Sequence, residues 1–101
     1  DSFLGMAMEI AYSHHERWDG DGYPVGLASR SIPLAARIVA LADAYDALTS
    51  RRPYSGPHEH AKAVERIVHD RGRHFDPLLV DAFLRCAPDF ARIQSTHRDA
   101  D

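Results

Sequence analysis

His14-His15-Glu16-Arg17-Trp18-Asp19-Gly20-Asp21-Gly22-Tyr23-Pro24 joins two metal-capable imidazoles directly to a glycine-rich loop. Neutral imidazole and carboxylate are ligands that iron, manganese and zinc accept, so the run points to a metal-dependent hydrolase. Glycine, proline, aspartate and serine recur through residue 32, a composition that suits an ordered loop better than a helix or strand. Upstream, Phe3, Met6, Ala7, Ile10 and Ala11 recur at spacings of three and four. That predicts a helix from Ser2 to about Glu16, closed by the histidine pair. Adjacent helical residues point about 100° apart, so the pair is poorly placed to chelate one ion and better placed to serve two neighbouring ions. Solvation, or hydrogen bonding to terminal carbonyls, explains such a pair equally well.

Downstream, Pro33 suits a first helical position, and nothing breaks the pattern before Ser50, so residues 33–50 are expected to form the longest helix. Leu34, Ile38, Leu41, Tyr45 and Leu48 make one apolar stripe. Ala36, Val39, Ala40 and Ala47 line the other side, with Asp43 and Asp46 among them, so the helix reads as buried nearly all round. Carboxylates in such a setting need a hydrogen bond, a cation or a metal. A second loop, Arg51 to Pro57, leads to a helix from about His58 to Asp70 marked by Ala61, Val64, Ile67 and Val68, with Gly72 as its stop. Asp76-Pro77 has the form of an N-cap and first helical residue, followed by Leu78, Leu79, Ala82, Phe83 and Cys86 on one face. This last helix is expected to stop before Pro88. The fold class is therefore all-α with about four helices, a domain at 1–88 and a polar tail at 89–101 in which Phe90 and Ile93 dock weakly.

With 12 basic and 15 acidic residues the formal charge is −3, and the Arg and Lys residues are scattered, which disfavours nucleic-acid binding. No apolar stretch has the length of a membrane span. The single cysteine, Cys86, has no disulfide partner in the chain and is expected to be a small buried hydrophobe in a reducing cytoplasm. The chain starts in mid-pattern at Asp1 without a methionine or targeting segment and reads as part of a longer protein.

The first run extends to Gly26-Leu27 and is followed by Ile32-Pro33-Leu34-x-Ala36-Arg37-Ile38, then Ala42-Asp43-x-x-Asp46-Ala47-Leu48-Thr49-Ser50, Arg52-Pro53-Tyr54 and Gly72-Arg73-His74-Phe75-Asp76-Pro77. In order and spacing this series resembles the HD-GYP family over about residues 6–87, roughly the C-terminal half of such a domain. The resemblance implies a helical bundle of the HD phosphohydrolase type with an ordered Gly-Tyr-Pro loop. It further implies a bacterial metal phosphodiesterase that hydrolyses cyclic di-GMP at a centre of two or three divalent ions, iron or manganese foremost. On matching positions, His14, His15 and Asp43 resemble metal ligands, and Asp46 resembles a carboxylate that supports the imidazole network, with helix capping or ion pairing as its alternative. Gly22, Tyr23 and Pro24 form the signature loop. The resemblance implies that Tyr23 and Pro24 face substrate or a partner protein and that the Arg52 guanidinium reaches substrate phosphate.

Ser55 stands where the family usually carries a basic residue, which removes one phosphate contact. The His-Asp pair that names the family, and its other ligands, would precede residue 1. His69-Asp70 follows the signature loop and does not replace it. His58, His60, His74 and His97 are expected outside the site, and Trp18 and Tyr54 form loop walls or stack on a base. The resemblance thus implies hydrolysis in which the bound metals activate water and no protein nucleophile is needed. An alternative is an incomplete regulatory module that uses the Gly22-Tyr23-Pro24 loop to engage diguanylate cyclases or other signalling proteins. A third reading keeps hydrolysis on another nucleotide or phosphomonoester. The apolar faces of residues 3–11 and 34–48 call for a covering segment or a homodimer.

Overall fold

Ser2 starts the first helix as a side-chain cap: its Oγ accepts from Gly5 N at 2.9 Å, satisfying one donor that a helix start leaves open. The computed structural model describes residues 2–50 and 57–100. Within them lie α1 (Phe3–Ser13), α2 (Leu34–Thr49), α3 (Pro57–His69) and α4 (Pro77–Ala100), with one 3₁₀ turn at Ser29–Ser31 before α2. α1 and α2 are joined by the loop that begins at the histidine pair, and α2 packs against all three other helices. The architecture is a helical bundle, as the heptad-like spacings require.

The core lies where α2, α3 and α4 meet. Leu41, Tyr45, Ala63, Ile67, Phe75, Val80 and Phe83 are buried together, with Ile67 and Val80 losing all contact with solvent. Tyr45 anchors it. Its ring meets Phe90 edge-on at 5.2 Å and Phe83 at 5.7 Å, arrangements that aromatic quadrupoles favour. Its hydroxyl pairs with His60 Nδ1 at 2.8 Å, and burial pushes the phenol above its ordinary pKa. His60 is therefore half-buried and fastens α3 to α2.

Asp76 caps α4 through Oδ1, which accepts from Leu78 N at 2.9 Å, as the Asp-Pro pair predicts. Its other oxygen pairs with Arg37 at 2.7 Å, joining α4 to α2. Four expectations need correction. α4 does not stop before Pro88 but runs through it, because Phe90, on the far side, packs on Tyr45 and Phe83 and holds the following turns in place. Cys86 is exposed rather than buried. α2 buries Ala36, Ala40, Leu41, Tyr45 and Thr49 but leaves Leu34 and Ile38 about half exposed, so it is not buried all round. Pro33 caps α2 and is not its first residue, since an extended ψ of 137° places it just outside the helix. On α1, Phe3 and Met6 are exposed as well, and Ser13 is the buried residue of that helix.

Candidate active site

His14 terminates α1, and the position fixes its chemistry. Its Nδ1 lies 2.9 Å from the carbonyl of Ile10, a group that only accepts, so Nδ1 carries the proton and Nε2 of the neutral ring keeps its lone pair. A backbone carbonyl that orients the distal nitrogen is the usual support of a metal-binding imidazole. His15 follows in the next turn, its ring 4.0 Å from that of His14 and tilted by 39°. The Tyr23 ring also stacks on His15, at 4.8 Å and nearly parallel at 18°, and remains 60% exposed.

Glu16 brings the signature loop back to the histidines. Its carboxylate is buried, at 2% exposure, and accepts three backbone N–H groups: Val25 on Oε2, and Gly26 and Leu27 on Oε1, each at 2.9 Å. At Gly22 the chain approaches its own earlier turn so closely that a Cβ would lie 2.5 Å from both His15 O and Arg17 N. What this position demands of glycine is close approach, whereas the positive φ angles of the loop fall at Gly20 (88°), Gly26 (86°) and Ser29 (53°). Tyr23 N donates to His15 O at 3.3 Å, and the Tyr23-Pro24 bond is cis.

The loop is also fastened at its two ends. Trp18 N and Asp19 N donate to the carbonyls of His74 and Arg73, tying its start to the turn before α4. At its end, Arg37 Nε donates to Ile32 O at 2.9 Å while the same guanidinium holds Asp76. Arg17 and Asp19 pair at 3.2 Å, which raises the guanidinium's pKa and lowers the carboxyl's. His74 stacks on Phe75 at 4.2 Å, and its imidazole is pushed below its ordinary value, first by burial and then by Arg17. It is a packed residue, as expected.

Asp43 is exposed on α2, the helix that packs on α1, and Asp46 one turn on accepts from Ser50 Oγ at 2.7 Å. Among the described residues, no group of three or more His, Cys, Asp or Glu side chains is close enough to hold a metal ion. The structure thus places His15 beside both His14 and Tyr23 but does not gather Asp43 into a finished cluster with them. In kind, an oriented Nε2, a second imidazole and a carboxylate fit a divalent ion; in number they fall short of a full ligand set. Arg52, Tyr54 and Ser55 lie outside the described residues, as do the side chains of His58 and His97. Reading the sequence by residue type missed Glu16 and Arg37. Both act on backbone groups of the loop, Glu16 across it at residues 25–27 and Arg37 at its end, and the only signal for Glu16 is its place between the histidines and the glycines.

A family model described as HD domain matches residues 2–79. A probable cyclic di-GMP phosphodiesterase of Vibrio cholerae serotype O1 is 54% identical over 83 residues, which cover 82% of this chain and 19% of that protein. A cyclic di-GMP phosphodiesterase of the same organism is 50% identical over 99 residues, covering 98% and 20%. A 3'3'-cGAMP-specific phosphodiesterase, again from this organism, is 42% identical over 96 residues, covering 95% and 18%. The chain belongs to the HD-domain family, in its HD-GYP branch. It spans about a fifth of the length of these relatives. No helix among the described residues is long and apolar enough to cross a membrane.

Proposed function

We propose that the intact protein is a metal-dependent phosphodiesterase that opens the ring of cyclic di-GMP. The observation that carries this reading is the unit of His14, His15 and Tyr23: an imidazole with its distal nitrogen directed by Ile10 O, beside a second imidazole that supports an exposed aromatic face. His14, His15 and Asp43 would hold two or three divalent ions, iron or manganese, together with ligands from the rest of the protein. When bound, such ions lower the pKa of coordinated water and neutralise charge developing on the phosphate. The Ile10 contact holds the proton on His14 Nδ1 and leaves the lone pair on Nε2, and Asp43 adds negative charge from α2. The free face of Tyr23 offers a stacking surface to a guanine, with Pro24 beside it, and the Arg52 guanidinium would take a phosphate oxygen. The test is turnover of cyclic di-GMP by the intact protein under reducing conditions with iron or manganese. Conversion to a linear product supports the reading, and no turnover with either metal refutes it.

The relative named as specific for 3'3'-cGAMP favours a second substrate, since the two cyclic dinucleotides differ in one base and a stacking face does not distinguish purines strongly. Comparing kcat/KM for the two under the same conditions decides between them. The exposure of Tyr23 and Val25, 60% and 58%, on a loop held so firmly also suits a regulatory contact with a diguanylate cyclase or another signalling protein. Equal capture of such partners by the wild type and by Tyr23→Ala would remove that reading.

A further inference from the structure

We infer that Glu16 is a positioning residue for nucleotide recognition, holding Tyr23 against His15 so that the aromatic face and the metal-binding imidazole stay in one register. This rests on the phosphodiesterase reading above and concerns how its substrate is gripped. The buried carboxylate takes the N–H groups of Val25, Gly26 and Leu27, three consecutive donors that no secondary structure satisfies. A single anion thereby closes the loop directly after Tyr23 and Pro24. Because Glu16 is covalently next to His15, the loop is closed onto the backbone that carries the imidazole. At Gly22 the chain passes so close to His15 O and Arg17 N that no side chain fits there, and Tyr23 N bonds to the same carbonyl of His15. The loop therefore has no independent path away from the histidine. Loosening the carboxylate clamp frees Tyr23 from its stack. The orientation of His14 is untouched, since its own tether is Ile10 O in α1.

This separation of tethers gives the test a readout that general damage would not reproduce. In the intact, metal-loaded protein, Glu16→Ala is expected to raise KM for cyclic di-GMP ~10-fold or more, because three hydrogen bonds to a buried charged acceptor are lost. It should leave kcat within about threefold and leave bound metal unchanged, since the groups that meet the reacting phosphate stay in place. Hydrolysis of bis(p-nitrophenyl) phosphate, which has no purine to stack, should be unaltered. Hydrogen exchange at the amides of residues 25–27 should accelerate. Glu16→Gln, which keeps one acceptor oxygen for two of the three amides, should fall between wild type and alanine, and it carries the test if the alanine variant does not fold. An unchanged KM in either variant, or parallel loss of metal, of kcat and of activity on the small diester, would overturn the assignment. A wild type with no cyclic di-GMP turnover would instead overturn the phosphodiesterase reading, and this assignment with it.

Discussion

At Gly22 a single methyl group decides whether the loop can close. With 2.5 Å from an added Cβ to two backbone atoms, and no flexible side chain among the nearest neighbours, Gly22→Ala forces the chain apart. We expect it to lower stability by ~2 kcal/mol by denaturant titration and to expose Tyr23 further to iodide quenching. His74 sets a pH dependence. Its folded pKa lies below the ordinary 6.5, so the unfolded chain binds its proton first, and folding loses stability as pH falls through 6.5 until the folded value is passed. Asp19 and Asp70 are held below the usual carboxylate range. For Asp70, burial opposes that shift and the hydrogen bonds from Arg66 and His69 outweigh it. Their contribution is present above that range and lost only in stronger acid. The melting temperature should therefore decline as pH falls below 6.5, and His74→Gln should flatten that decline; an unchanged slope would exclude His74 as its source.

The helices divide into those that capping makes legible and those that packing extends. Asp76 is a cap that residue type alone announces, and α1, α2 and α3 lie within a few residues of where periodicity puts them. Pro88 misleads because its missing N–H and ring clash are local costs, while the gain that offsets them is the distant contact of Phe90 with Tyr45. The histidine pair and the loop are legible from their residue types, but the Glu16 clamp is invisible because its partners are backbone amides, which every residue but proline carries. Asp76 joins both kinds of information. Removing its side chain leaves Arg37, 15% exposed, without its anion and α4 without its cap. Asp76→Ala should cost ~3 kcal/mol. Phe90→Ala should cost ~2 kcal/mol and Leu78→Ala, at an exposed site of the same helix, under about 0.5; equal effects would mean that the turns beyond Pro88 do not contribute to the core.

Taken whole, the chain is more open than its length requires. Its accessible surface is 6816 Å², against about 5,700 Å² expected for a folded monomer of this mass, and its radius of gyration is 14.2 Å, against about 13 Å. Much of the excess is apolar, with Phe3, Leu4, Met8 and Tyr12 along α1, Leu34 and Ile38 on α2 and Leu78 on α4 all more than 45% exposed. A protein of residues 1–101 alone should therefore self-associate, seen as concentration-dependent growth in light scattering, and a compact monomer at all concentrations would contradict this. Two of these faces lie on α1 and α2, the helices that end at His14 and carry Asp43. The most direct measurement is the hydrolysis of cyclic di-GMP by the intact protein, loaded with iron or manganese, for wild type and His14→Ala side by side. We predict turnover by the wild type and a loss of about a thousandfold or more in the variant, since the metal centre supplies the reaction's driving chemistry. An inactive wild type, or a His14→Ala variant that retains its rate, would contradict the account.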